Sequence, residues 1–260
     1  MPPRHSATPP ICTMHILKIS GDKLDNEEFL RQFADYIAAQ AEPVVIVHGG
    51  GRGIADLQAR LGLPTLKVDG LRVTDAGSLV AAEMVLSGVA NKRLVAALLA
   101  AGMDAVGLSG VDGGLLRCRQ KLHPTADLGY VGEITAVRTD LITNLLAQGI
   151  TAVISPISLG PNHHPYNVNA DEVACAVALA LQADLLDFVS NVPGVMENGR
   201  IFPHLTLAQC NSLRERDVII GGMIPKVQAA LDAVAQGVAQ ARIVDMGGLL
   251  SDGGTWFSGG

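Results

Sequence analysis

The chain has 260 residues, 48% hydrophobic and 17% charged, enough for a large core in one domain or two joined lobes. Its net charge of −6 argues against nucleic acid as a bulk partner and requires any anionic ligand to be held by local positive charge. No apolar run reaches membrane-spanning length without a charge or a breaker, and Cys12, Cys118, Cys175 and Cys210 form no CxxC pair, so they read as reduced thiols of a cytoplasmic protein without zinc.

Residues 1–13 are rich in proline and small polar residues and read as a disordered arm, with Met14 opening the first structured element. Met14 to Gly21 reads as a short strand ending in a small-residue turn. Lys18 lies inside its apolar run, where a lysine either meets an anion or reaches solvent from an edge strand. Asn26 to Ala41 has helical spacing, with Asn26 or Asp25 as cap. Pro43 to Val47 is a buried strand that stops at Gly49, Gly50 and Gly51, and a helical pattern from Arg52 to Leu61 follows. Strand, glycine loop and helix start together make an anion site, because bare backbone N–H groups and the positive helix end converge there; a packing turn is the alternative.

Arg72 lies between apolar neighbours, either as a fork for a ligand carboxylate or paired with Asp69 or Asp75. Thr74 or Asp75 caps a helix to about Ser87; Gly88 and Asn91 interrupt it, and a second helix runs from Lys92 to Ala100. Ala105 to Gly110 reads as a buried strand, Leu115 to Ile134 as hairpins, Thr139 to Gln148 as a helix and Thr151 to Ile157 as a strand. His163 and His164 read as exposed loop residues rather than metal ligands. Asn167 and Asn169 alternate toward one side of an extended segment, facing one ligand or serving as ordinary caps. Asp171 falls in the first turn of the following helix, where the dipole favours a carboxylate. Leu185 to Val195 is a strand ending in a turn, and Arg200 to Arg216 carries a short helix. Gly221 to Lys226 leads into a helix from Val227 to about Gln236, which places Lys226 where its charge opposes the dipole unless an anion is present. Ala241 to Met246 is a last strand; Gly247 to Gly260 reads as a loop or frayed tail in which Trp256 has no role.

Taken in order, Lys18-Ile19-Ser20-Gly21, the VIVHGGG run, GLRVTD, NVNAD and GGMIPK resemble the acetylglutamate kinase branch of the amino acid kinase family, from Met14 to about Met246. The resemblance implies an α/β fold, a three-layer αβα sandwich with a mostly parallel central sheet. It implies an N-terminal lobe over residues 14–182 for the acyl substrate and dimerisation, and a C-terminal lobe over residues 183–260 for ATP. The implied reaction is ATP-dependent phosphorylation of the γ-carboxylate of N-acetyl-L-glutamate, the second step of arginine biosynthesis. Lys18 and Lys226 would stabilise the transferring phosphoryl group, with Asp171 orienting both. Gly50, Gly51, Arg72 and Asn167, with Asn169 alongside, would hold the substrate. Gly21, the stretch Asn191, Val192, Pro193, Gly194, Val195 and Met196, and the stretch Val218, Ile219 and Ile220 would bind the nucleotide.

Mg²⁺ would arrive on the ATP phosphates with few or no protein ligands, and no P-loop motif is present. Ser20 departs from the usual Lys-x-Gly-Gly and is shared with uridylate kinases. Two other readings stay open: a carrier-protein-linked aminoadipate or glutamate kinase of lysine biosynthesis, and a catalytically silent amino-acid sensor. Arginine-inhibited members carry an N-terminal helix that links dimers into hexamers. Pro2, Pro3, Pro9 and Pro10 resist such a helix, so the expectation is a homodimer insensitive to L-arginine.

Overall fold

The computed structural model describes residues 14–258; the arm over residues 1–13, the regulatory expectation tied to it and Cys12 lie outside the described residues. In chain order, strand β1 (His15–Ile19) leads into helix α1 (Glu27–Ala38), and β2 (Val44–His48) into α2 (Gly51–Arg60). The hairpin β3 (Lys67–Val68) and β4 (Leu71–Arg72) precedes α3 (Ala76–Glu83), a π-helical segment (Met84–Ala90) and α4 (Asn91–Ala100). Next come β5 (Ala105–Ser109), β6 (Leu116–Gln120), β7 (Gly132–Val137), α5 (Thr139–Leu146), β8 (Thr151–Ser155), β9 (Ile157–Leu159) and β10 (Pro165–Asn167). The chain continues through α6 (Ala170–Ala180), β11 (Leu185–Val189), the hairpin β12 (Met196–Glu197) and β13 (Arg200–Ile201), and α7 (Leu207–Glu215). It closes with α8 (Met223–Gln236), β14 (Gln240–Val244), α9 (Met246–Ser251) and β15 (Thr255–Ser258).

Seven strands form the central sheet in the order β15-β14-β11-β1-β2-β8-β5. Every neighbouring pair is parallel except β14 with β15. Alternation along each strand sends its two sets of side chains to opposite faces. Ile16, Val45, Leu186 and Ile243 pack against α6, α7 and α8, whereas Leu17, Ile46, Val189 and Val244 pack against α1, α4 and α9. The result is the αβα sandwich, with a four-stranded sheet, β10-β9-β6-β7, beside it. The first core runs from Ile16 to Phe257, so sheet and core both cross residues 182 and 183.

Two segments differ from the sequence reading. The break at Gly88 and Asn91 is instead a π-helical turn inside one rod, α3 to α4. Asn91 continues the rod because its amide is buried and bonded to His48 and the Val153 carbonyl, so it need not compete for its own backbone. The glycine-rich tail is regular structure through Ser258, with a helix and a strand. Asp245 caps α9 through the Gly248 N–H at 2.8 Å, and Gly248 packs so close to Val244 that a Cβ would sit 2.6 Å from its Cγ2. Trp256, on edge strand β15, lies 4.4 Å from the Arg242 guanidinium, a cation–π contact.

Candidate active site

The parallel strands point their C-terminal ends to one crevice, and β1 sits where the chain order reverses direction across the sheet. A cavity of about 280 Å³ opens there. Lys18, Gly21, Gly50, Gly51, Arg72, Asn167 and Asn169 all line it, so seven residues that the sequence singled out on four separate segments share one space.

Lys18, near the end of β1, is only 8% exposed and its Nζ lies 2.8 Å from Asp171 Oδ1. A buried lysine needs a counter-charge, and Asp171 supplies it from the first turn of α6. Asn169 caps that helix by accepting from the Asp171 N–H at 2.9 Å, which fixes the turn that aims the carboxylate. Asp171 also lines a wider groove of about 780 Å³ bounded by β7, α6 and α8.

Gly50 is the N-cap and Gly51 the first residue of α2, and both line the cavity, so the positive end of the helix with its unpaired N–H groups borders it. The first-strand turn presses directly on this loop. A Cβ on Gly21 would lie 2.3 Å from Gly50 N and 2.4 Å from Gly50 Cα, so only glycine fits.

Arg72 sits on β4 across the cavity. Neither expected acidic partner reaches it: Asp75 caps α3 through the Ser78 N–H at 2.7 Å, and Asp69 contacts His123. Its guanidinium donates instead to Gln58 Oε1 at 2.6 Å and to the Gly51 carbonyl at 2.9 Å. Desolvation lowers its pKa from the usual arginine value, a sign of a guanidinium held half out of water by neutral acceptors. No carboxylate pairs with it among the described residues. A ligand carboxylate is therefore the complementary group.

The sequence reading missed Gln58. It is fully buried, donates to Ser78 Oγ at 2.7 Å and to the Pro64 carbonyl, and presents Oε1 to Arg72. A buried glutamine on a helix face that otherwise carries Ile54 was the only signal, and it was weak. Lys67, on β3, also lines the cavity and was not singled out.

The structure does not bring Lys226 to Asp171. Its Nζ donates to the Gly222 carbonyl at 3.1 Å and it is half-buried at the start of α8, while the Asp171 salt bridge is to Lys18. The difference arises because α8 begins at Met223, so Lys226 can satisfy a carbonyl one turn back within its own helix start. The stretch from Asn191 to Met196 follows β11, beside the end of β1. Asn191 donates to Asp22 Oδ2, tying the two turns together. Val195 and Ile219 are core side chains, 1% and 2% exposed, whereas Asn191, Met196 and Ile220 are exposed.

The amino acid kinase family model matches residues 13–245. An acetylglutamate kinase of Roseiflexus sp. strain RS-1 is 50% identical over 240 residues, 92% of each chain. One of Methanopyrus kandleri is 40% identical over 250 residues, 93% of this chain and 99% of the relative. Among solved structures, smu.665 from Streptococcus mutans UA159 superposes with a TM-score of 0.79 at 30% identity, covering 94% of this chain and 98% of that one. The chain belongs to the amino acid kinase family.

Proposed function

We infer that the protein is a phosphotransferase that moves the ATP γ-phosphoryl group to the γ-carboxylate of N-acetyl-L-glutamate, giving ADP and N-acetyl-L-glutamyl 5-phosphate. The observation that carries this reading is a single cavity lined by Lys18, by the Gly50–Gly51 loop and by an Arg72 whose guanidinium meets only neutral acceptors among the described residues. A dicarboxylic amino acid offers one carboxylate to the arginine and a second to the lysine and the loop. The relatives at 40% and 50% identity named above are acetylglutamate kinases, which supports the same acceptor.

The chemistry asks little of the protein beyond placement and charge. A γ-carboxylate with an ordinary pKa of about 4.3 is already a nucleophile at neutral pH, so no general base is needed. The obstacle is bringing an anion against a polyphosphate, and catalysis is positioning with charge neutralisation. Arg72, steadied by Gln58, grips the α-carboxylate. Asn167 and Asn169 close the cavity wall beside the acyl chain. Lys18, aimed by Asp171, neutralises charge on the equatorial oxygens of the transferring group. Gly50 and Gly51 N–H groups meet the oxygens from the helix end. Lys226 approaches from the nucleotide side, giving up its Gly222 contact.

The nucleotide lies along the Asn191–Met196 and Val218–Ile220 stretches, where Val195 and Ile219 offer backbone and the exposed residues offer side chains. Mg²⁺ would arrive on the ATP phosphates, neutralising their charge with few or no protein ligands.

The residues over 14–182 form the acceptor half and those over 183–258 the nucleotide half of one continuous sheet. The rod from α3 to α4, beside edge strand β5, exposes Val80, Met84, Val89 and Leu99, which supports a homodimer; light scattering giving a monomer would remove it. Buried reduced thiols at Cys118, Cys175 and Cys210 accord with the cytoplasm. The functional reading is tested by ADP release with N-acetylglutamate, glutamate, aspartate and UMP side by side. N-acetylglutamate should be turned over far faster than the others, and equal rates with UMP or free glutamate would sink the reading.

A further inference from the structure

His48, the last residue of β2, is fully buried and stands immediately before the glycine loop, yet a transfer to a carboxylate gives an imidazole no proton to move. Its surroundings determine which ring nitrogen carries hydrogen. Lys92 Nζ lies 2.9 Å from one end of the Asn91 amide and 3.0 Å from the Gly107 carbonyl. An ammonium only donates, so the Asn91 atom facing it is Oδ1. The amide nitrogen therefore faces inward, giving one hydrogen to the Val153 carbonyl at 3.0 Å and the other to His48 Nε2 at 3.1 Å. Nε2 must then be the lone-pair nitrogen. The proton sits on Nδ1, which donates to the Gly49 carbonyl at 3.0 Å.

That last bond bears on the site. Gly49 uses its N–H on the Ile19 carbonyl at 2.9 Å and its C=O on His48. The peptide between Gly49 and Gly50 is trans, so its C=O and N–H point in opposite directions. We propose that His48 is a positioning residue for the glycine loop: as the neutral Nδ1–H tautomer it pins the Gly49 carbonyl inward and so aims the Gly50 N–H at the reacting oxygens in the cavity. This rests on the phosphotransfer reading of the cavity.

Three further observations support it. Desolvation on burial lowers the His48 pKa to about 4, with the Gly49 contact opposing and the Lys92 charge adding to the shift, so the ring is neutral in the working range of pH. Gly107 has no side chain where one could not fit, since a Cβ there would lie 1.8 Å from Asn91 Oδ1. The π-helical turn from Met84 to Ala90 ends at Asn91, and such turns recur where a helix must present a particular side chain. The chain of donors from Lys92 through Asn91 and His48 to Gly49 thus links a solvent-exposed lysine to the glycine loop.

Two measurements test the proposal. Nitrogen-15 NMR of histidine-labelled protein at neutral pH, which needs no substrate, should show a neutral His48 protonated on Nδ1; protonation on Nε2, or on both nitrogens, overturns it. Steady-state kinetics then compare His48→Leu with His48→Asn, whose amide nitrogen can replace Nδ1 as the donor to Gly49. Leucine should lower kcat about ten- to a hundredfold, because a misdirected N–H costs as much as a small misplacement of the reactants, while asparagine restores most of it. Melting temperatures are read alongside. Loss of kcat in both variants alike, or in neither, assigns His48 to packing alone. If the wild type does not phosphorylate N-acetylglutamate, the functional reading fails and the tautomer result still decides the geometry.

Discussion

Replacing Lys18 by methionine keeps the stem and removes the charge, so it separates electrostatics from packing. At 2.8 Å and an effective dielectric of about 20, the gross attraction between Lys18 and Asp171 is about 6 kcal/mol. Most of that offsets desolvation of the two groups, whose side chains are 11% and 20% exposed. The stability cost of the variant is what remains when Asp171 loses its partner, about 2–3 kcal/mol, softened by its place in the first turn of α6. The catalytic cost is separate. Lys18 meets charge that grows in the transition state, and losing one such contact lowers kcat about 100- to 1000-fold with little change in acceptor KM. Asp171→Asn keeps the lysine but frees its head, so it should lower kcat as well. The double variant should be no worse than Lys18→Met alone, because the two act as one unit. Initial rates at saturating ATP and acceptor, with melting curves on the same samples, read both effects. A Lys18→Met enzyme within about fivefold of wild-type kcat, under 1 kcal/mol of barrier, would refute this role.

Arg72→Lys should raise acceptor KM about tenfold or more with a smaller change in kcat, since an ammonium cannot hold Gln58, Gly51 and a carboxylate in one plane; unchanged KM would remove Arg72 from recognition. Gly21→Ala should cost about 1–3 kcal/mol and most of the activity, because its Cβ meets Gly50 backbone rather than a side chain that can move; a fully active variant would show the loop shifts freely. His48 is neutral in the fold, with its pKa depressed to about 4. Its contribution is fully present above the unfolded value near 6.5 and is lost as pH falls toward 4, by at most about 3 kcal/mol. Denaturant melts of His48→Asn should accordingly depend less on pH between 4 and 6.5 than those of the wild type. Asp187 is fully buried; burial alone would raise its pKa, yet hydrogen bonds from Arg242 and His15 hold it below the usual range. Its stabilisation persists above about pH 4 and fades only in acid, and Asp187→Asn should lower stability at neutral pH by about 3–5 kcal/mol as judged by urea titration.

Much of the fold was legible because strand and helix periods alternate along the chain, and because β1, β2, β8 and β11 are apolar runs too short to be anything but buried strands. The glycine loop, Lys18, Arg72 and Asn167 were legible for a similar reason: each breaks the local pattern in a way that a ligand would repair. What sequence could not give was partnership across the fold. Arg72 had two plausible acids within three residues, and the structure gives it neither. Gln58 and Asn91 are polar residues inside helices, and their value lies wholly in atoms 14 and 43 positions away. Gly88 and the glycines of α9 read as breakers because propensity is local, whereas close packing and capping override it. Trp256 needed the register of β15 against β14 to meet Arg242.

The central claim, phosphoryl transfer to a carboxylate, is tested most directly by trapping the product. An acyl phosphate reacts with hydroxylamine to give a hydroxamate. Purified protein with ATP, Mg²⁺ and N-acetyl-L-glutamate should form hydroxamate in step with ADP, and both should vanish together in Lys18→Met. ADP released without hydroxamate, or a stable phosphate product formed from UMP instead, would contradict the account.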